Sequence, residues 1–452
     1  MGFPAENFMT ISKSNNRPNA ISIFTGAGGL DIGFERAGFN VISAVEIHPV
    51  YCNTILENQK KKIPINGGPE YYYEGTLVLN DDINNVTGEQ LLRGFPKGKI
   101  DCLIGGPPCQ SFSSAGKQGS IFDKRGTLIY EYFRILQETM PKTFLFENVR
   151  GLVTAKGYDQ EPGEILTELL KMFYDLGYSC RAALLNAAEY GAYQARVRCF
   201  IIGSRIAAAP YFPIPQYGKN EEVSFIPEMC RKKWKTLGDF LELNADNDVC
   251  NWVRPTPELA ESLKDIDEGK GLRSLGRVEA TRPGGHWGYR QGTFIADLKK
   301  PARTVTGSSS QDWIRLKDGS LRRLTLNEVA GLQGFPNEWV FCGRKSDQFQ
   351  QVGNAVPTLF GELLGNILKD YLSGSYQNYP ESNPLELPSN IKENIRYTKY
   401  DNSKNGAYRA KVSTMPVEQI PRESRSRARP TVLTGSRRSR STRSSTNNGK
   451  ET

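Results

Sequence analysis

Between Ala20 and Arg205, short runs of apolar, largely β-branched residues alternate with stretches whose apolar residues recur at helical spacing. That alternation limits the fold more than any other feature of the chain. A strand buried on both faces reads as a continuous apolar run, whereas a helix packed on one side shows apolar residues every three or four positions. Ile21 to Phe24, Val41 to Ile47, Ile100 to Ile104, Thr143 to Phe146, Ala182 to Asn186 and Cys199 to Ile202 read as buried strands. Leu128, Ile129, Tyr132, Phe133 and Leu136 recur at helical spacing, and Ile165 to Leu176 does the same. Strand and helix in alternation predict an α/β fold, a doubly wound and mostly parallel sheet with a ligand site beyond its strand ends.

After Ser204 the texture changes. Pro210, Pro213, Pro215, Pro227, Pro255 and Pro257 interrupt the chain, and all five tryptophans lie between positions 234 and 339. The pattern predicts a first part of the α/β domain over 19–208, a smaller loop-rich domain over 209–320, and a return to the α/β domain over 321–373. The return opens with Thr325 and Glu328, spaced as a capping box, and continues past Pro357 with Leu359, Phe360, Leu363, Leu364, Ile367 and Leu368 on one helical face. Beyond about Ser373 the periodicity is lost, and 374–452 reads as a disordered basic tail. Of the net charge of +9, the stretch from Pro421 to Thr452 holds +7, with eight arginines and one lysine against Glu423 and Glu451. The body is therefore close to neutral, and any contact it makes with nucleic acid must come from local patches. No apolar run approaches the roughly 20 residues of a membrane helix, and the polar start at Met1 is unlike a secretory signal. A cytoplasmic protein is expected. Eight cysteines without a C-x-x-C pair, and only His48 and His286, argue against a metal site or a disulfide framework.

Chemistry-bearing residues fall at the predicted strand ends. Phe24-Thr25-Gly26-Ala27-Gly28-Gly29-Leu30 forms a glycine-rich turn between a strand and a helix, where backbone can approach a nucleotide-like ligand. It departs from G-x-G-x-x-G, because Asp31 holds the third glycine position. Glu46 lies 20 residues after Gly26 and is placed to accept hydrogen bonds from ribose hydroxyls. Asp81, Asp82 and Ile83 follow a third strand end and could receive an adenine. The turn alone leaves a nicotinamide or flavin oxidoreductase open. Gly105-Gly106-Pro107-Pro108-Cys109-Gln110-Ser111-Phe112-Ser113 places one thiol on a proline-stiffened loop among polar neighbours, which favours a functional cysteine over a buried one. Glu147, in Phe146-Glu147-Asn148-Val149, ends another strand. In Gln194-Ala195-Arg196-Val197-Arg198 two arginines stand one residue apart, and on a strand they would share a face.

These segments closely resemble the DNA cytosine-5 methyltransferase family, of the bacterial restriction-modification type. FTGAGGLDIGFERAGF is similar to its cofactor loop, GGPPCQSFS to its nucleophile loop, ENV to its acid motif and QARVR to its Q-x-R-x-R element. RRLTLNEVAGLQGFP and QVGNAVP resemble its two C-terminal motifs, and all stand in the family's order from about Ile21 to Leu372. One departure is Asp81-Asp82-Ile83, where the family has Gly-Asp-Ile. The resemblance implies a Rossmann-like S-adenosylmethionine-dependent methyltransferase domain, with 209–320 as a target-recognition domain. It implies S-adenosyl-L-methionine at Phe24, Gly26, Gly28, Gly29, Leu30, Glu46, Ile47, Asp82, Ile83, Pro107, Leu128, Asn354, Ala355 and Val356. Cys109 becomes the nucleophile, Glu147 the acid at ring nitrogen 3 and Arg196 the contact to the flipped base. Gln110, Ser111, Arg282 and Arg290 are expected on DNA, and Arg198 either there or in a structural role. Double-stranded DNA is the implied partner of a monomer near the nucleoid, with a cognate restriction endonuclease as a functional counterpart.

The chemistry explains why such residues are needed. Carbon 5 of cytosine is a poor nucleophile, and a thiolate adding at carbon 6 turns the ring into a reactive enamine. A free thiol of pKa about 8.5 is only a few per cent ionised at neutral pH, so Cys109 needs a positive field such as Arg196 or Arg198 would supply. Glu147 must stay partly protonated, which a desolvated pocket achieves. A base inside a duplex has to swing out to be reached, and the run after Gln110 could close over it. Lys270 to Arg303 holds eight Lys or Arg against Glu279 and Asp297, with His286, Trp287 and Tyr289 interleaved, a composition suited to phosphates and guanine edges. Two rivals stay open: a transfer-RNA-modifying branch with the same chemistry, which the substantial second domain argues against, and a catalytically silent DNA-binding subunit.

Overall fold

The computed structural model describes residues 17–108, 127–220, 231–272, 293–374 and 387–399. Seven strands form one sheet: β1 (Asn19–Ile23), β2 (Asn40–Val45), β3 (Leu77–Leu79), β4 (Cys102–Gly105), β5 (Thr143–Val149), β6 (Ser179–Asn186) and β7 (Val197–Ser204). Their order is β3-β2-β1-β4-β5-β7-β6. The first five run parallel, and β7 lies antiparallel between β5 and β6. The apolar runs sort onto two faces as a pleat requires. Ile21, Ile23, Leu103, Phe144, Phe146, Cys199 and Ile201 enter one core, and Ala20, Ile104, Leu145, Phe200 and Ile202 the other.

Helices cover both faces: α1 (Gly29–Ala37), α2 (Pro49–Lys61), α3 (Gly88–Leu92), α4 (Thr127–Thr139) and α5 (Glu164–Asp175). On the α4/α5 side Phe173 is the hub, with its ring centroid 4.3 Å from both Phe133 and Phe144. On the other side α1 meets a helix more than 300 residues later. That partner belongs to the second half of the chain, which contains β8 (Tyr217–Gly218), β9 (Lys232–Lys233), α6 (Leu237–Asn244), α7 (Pro257–Leu263), β10 (Trp313–Arg315), β11 (Leu321–Arg323), α8 (Leu326–Leu332), α9 (Lys345–Asn354) and α10 (Thr358–Leu372). A side chain at Gly33 would lie 2.5 Å from the Glu362 nitrogen, and one at Gly365 2.8 Å from the Ala37 methyl. Glycines on both helices therefore allow a backbone approach that a larger residue would block.

Two features of the structure bear on how the chain is divided. The loop-rich lobe has a small core of Leu263, Ile295, Trp313 and Leu321. It extends past position 320, because β11 pairs antiparallel with β10. Leu237, Phe240, Ala296 and Val305 share a core with Ile32, Ala44 and Ile55 of the sheet layer, and the chain through Thr398 forms one compact unit. The tail is not featureless from 374. Residues 389–399 form a helix, α11. Ile391 is fully buried, Asn390 Nδ2 donates to the Leu184 carbonyl at 3.1 Å, and Arg150 donates to Asn394 Oδ1 at 2.7 Å.

Candidate active site

The sheet order reverses direction between β1 and β4, since the chain moves outward to β2 from one and to β5 from the other. A crevice at the carboxyl ends of such a pair is where doubly wound sheets bind ligands, and the glycine turn sits there. A small cavity opens between Phe24, Gly29, Gly105, Gly106 and Val356. The turn has left-handed backbone at Phe24 (φ 57°), Gly26 (φ 61°) and Gly28 (φ 90°). For Phe24 this costs on the order of 1–3 kcal/mol, a strain that persists where surroundings enforce it. One enforcer is Glu46: its two carboxylate oxygens accept from Gly26 N and His48 N, both at 2.8 Å. Burial raises the Glu46 pKa, and the amides of His48 and Gly26 oppose that rise.

The other expected cofactor residues surround this crevice unequally. Ile47 follows β2 with 60% of its surface exposed, an apolar plate facing outward. Asp82 is half-buried and caps a short turn by accepting from Asn84 N at 3.0 Å. Ile83 is buried in the core below, and Leu128 is half-buried against the same cluster. Gly29 and Leu30 begin α1, and a side chain on Gly29 would lie 3.0 Å from the Ala355 methyl. Asn354 is exposed at the end of α9, with Ala355 buried and Val356 half-buried after it. The chain's C-terminal motif thus closes on its N-terminal turn.

Beyond β4 the second part of the site begins. Glu147, near the end of β5, is 8% exposed, and its Oε1 pairs with Arg198 Nε at 3.0 Å. Burial raises the Glu147 pKa, while the charge of Arg198, then that of Arg196, pulls it back. A side chain at Gly106 would meet Glu147 Oε2 at 2.5 Å and push the carboxyl from its place beside Arg198. Asn148 Nδ2 donates to the Pro107 carbonyl at 3.1 Å, fixing the root of the Pro-Pro-Cys loop to β5.

The two arginines differ in what they touch. Arg196 is 1% exposed and donates to the carbonyls of Val305 (2.8 Å), Gly353 (2.8 Å) and Ala355 (2.9 Å). It cross-links backbone segments, and Arg198 is the one set against the Glu147 carboxyl. Gln194 joins the same knot: its Nε2 donates to Gln333 Oε1 at 2.8 Å and to the Leu332 carbonyl at 3.0 Å. Gln333 in turn donates to the Val352 carbonyl at 2.6 Å. Sequence reasoning gave no role to Gly106, Asn148 or Gln333, although each lies within a motif that it quoted. Cys109, Gln110, Ser111, Arg282 and Arg290 lie outside the described residues.

The chain matches the profile of the family described as C-5 cytosine-specific DNA methylase over residues 19–370. It is 33% identical over 350 residues to Type II methyltransferase M1.HphI of Haemophilus parahaemolyticus, across 76% of this chain and 84% of that one. It is 32% identical over 383 residues to Type II methyltransferase M.Sau96I of Staphylococcus aureus, across 82% and 80%. The solved structure of S. pombe Dnmt2 methyltransferase superposes with a TM-score of 0.54 at 15% identity, covering 79% of this chain and 99% of that one, a likeness of fold alone. A family match running from the first residue of β1 nearly to the end of α10 takes in the glycine turn, the Glu147–Arg198 pair and the C-terminal motif that closes on them, and the chain belongs to the C-5 cytosine-specific DNA methylase family.

Proposed function

We propose that this protein methylates carbon 5 of cytosine within a specific short sequence of double-stranded DNA, with S-adenosyl-L-methionine as methyl donor, as the modification partner of a restriction endonuclease. The observation that carries the reading is the buried Glu147–Arg198 pair, one strand away from a strained glycine turn at the switch point of the sheet.

The residues at the turn suit an adenosine-containing donor. Left-handed Gly26 and Gly28 leave backbone without side chains, Glu46 supplies acceptors at the end of β2, and exposed Ile47 offers an apolar face to a flat ring. When bound, S-adenosyl-L-methionine would supply a methyl group activated by a sulfonium centre. Glu147 protonates ring nitrogen 3, drawing electrons from the ring. Burial raises its pKa and so favours the protonated form that this step uses. Arg198 fixes the carboxyl's orientation and lends positive charge to the site. Cys109, two residues beyond the anchored Pro107, adds as thiolate to carbon 6. Loss of the carbon 5 proton after transfer then expels the thiolate.

Transfer of labelled methyl to duplex DNA, with the modified base mapped, tests this directly. Label on carbon 5 of cytosine at one short sequence, abolished by Cys109→Ser, is the expected result. Label on RNA and not on DNA overturns the choice of substrate, and no transfer to either overturns the activity.

A further inference from the structure

Asp31 takes no part in the chemistry described above, yet it is completely buried under the cofactor turn. Both of its oxygens are engaged. Ser22 Oγ donates to Oδ1 at 2.7 Å, and Tyr73 OH donates to Oδ2 at 3.0 Å. Ser22 Oγ also lies 2.9 Å from Thr25 Oγ1. A hydroxyl has one proton to give, so with Asp31 ionised the Ser22 proton goes to the carboxylate and Thr25 must donate to Ser22. The result is a directed relay from the turn, through β1, to α1. Ser22, Thr25 and Asp31 border the same cavity as Gly29 and Gly106.

The other half of the arrangement comes from the connection between α2 and β3. Tyr73 has left-handed backbone (φ 56°) and is stitched in place: its N–H donates to Glu35 Oε2 at 2.8 Å and its carbonyl accepts from Gln59 Nε2 at 2.7 Å. Its ring packs against Trp339. Its hydroxyl occupies the place a side chain on Gly28 would take, 2.2 Å from the ideal Cβ position. One carboxyl thus joins the turn, the first helix and an excursion more than 40 residues later.

We propose that Asp31 is a positioning residue: its ionised carboxylate, held between Ser22 and Tyr73, orders the turn from Phe24 to Gly28, and so sets affinity for the methyl donor rather than the rate of methyl transfer. This rests on reading the turn as an S-adenosyl-L-methionine site. Burial pushes the Asp31 pKa up to about 7, with Glu35 adding to the rise and the hydrogen bonds from Ser22 and Tyr73 opposing it. The groups facing it are Glu35 on its own helix, Tyr73 from the connection, and Ser22 and Thr25 from β1 and the turn. Among the described residues no lysine, arginine or histidine pairs with it. A protonated carboxyl cannot accept fully from both donors, so the relay is complete above about pH 7 and broken below it.

Titration calorimetry of the full chain with S-adenosyl-L-methionine at pH 6 and pH 8, without DNA, tests the proposal. A group of pKa about 7 is mostly protonated at the lower pH and mostly ionised at the higher, so wild type is expected to bind about tenfold more tightly at pH 8. Asp31→Asn is expected to lose that difference. Glu46 and His48 remain in the variant, so the gap between the two profiles isolates Asp31. Tyr73→Phe, which removes one oxygen, is expected to weaken binding at pH 8 about tenfold while turnover at saturating donor stays within about twofold. Ser22→Ala gives the same readout should Asp31→Asn not fold. Equal pH profiles for wild type and Asp31→Asn, or unchanged binding by Tyr73→Phe, overturn the positioning role. No binding by wild type at either pH overturns the cofactor reading beneath it.

Discussion

Arg196 and Arg198 stand one residue apart and do opposite work, a division that mutation can separate. Truncating Arg196 to alanine removes a donor from three buried carbonyls, of which that of Ala355 keeps Gln333, and the expected loss is about 3–5 kcal/mol of stability, seen as a large drop in the thermal midpoint. Arg198→Ala is expected to lose less stability than Arg196→Ala, because the Glu147 carboxyl left behind can take up a proton, while methyl transfer falls at least about a hundredfold. Equal melting losses in the two variants would show that the division is wrong. The pair also marks where sequence reasoning stops. Two residues apart on a strand share a face, but β7 begins at Val197, so Arg196 precedes the strand and the alternation does not govern it. Glu147, by contrast, could be placed from its position at the end of an apolar run. Gly106 and Asn148 left no such signal, because a glycine required by a neighbouring strand's carboxyl, or an amide reaching a loop carbonyl, depends on tertiary structure.

Among elements, the packing of α1 on α10 is the most demanding fit. A side chain on Gly33 or Gly361 would strike the backbone of the opposing helix, which cannot move aside as a flexible side chain could. Gly361→Val is expected to cost at least about 1–3 kcal/mol, and a denaturant midpoint within error of wild type would contradict the packing described. The strands and the larger helices were legible because an apolar run and a 3.6-residue period are local signals. The reversed direction of β7 was not, since an inner strand reads as apolar whichever way it runs. Helix α11 did leave a trace: Leu387, Ile391 and Ile395 recur every four residues after Pro384. Its polar, proline-containing approach disguised a segment that is stable only by docking on β6 and the turn after β5.

At the scale of the whole molecule, charge and fold divide unevenly, with +7 of the net charge of +9 from Pro421 onward. A chain ended at Lys399 keeps α11 and is expected to methylate a short duplex at the wild-type rate. Its affinity for long DNA is expected to fall less steeply with salt, by roughly 0.9 in the logarithmic slope for each phosphate that the tail neutralises. Identical slopes for the two chains would remove the tail from the DNA. The seam between the first and last parts of the chain also has a consequence in time. At roughly 5–20 residues per second on the ribosome, α1 waits roughly 15–60 s for α10 to be made. Through that interval the glycine turn lacks Ala355 and Val356 against Gly29, and the sheet lacks the cross-link through Arg196. A polypeptide released early therefore carries most of the family's motifs and no assembled glycine turn, so methylation is expected only from chains translated through α10.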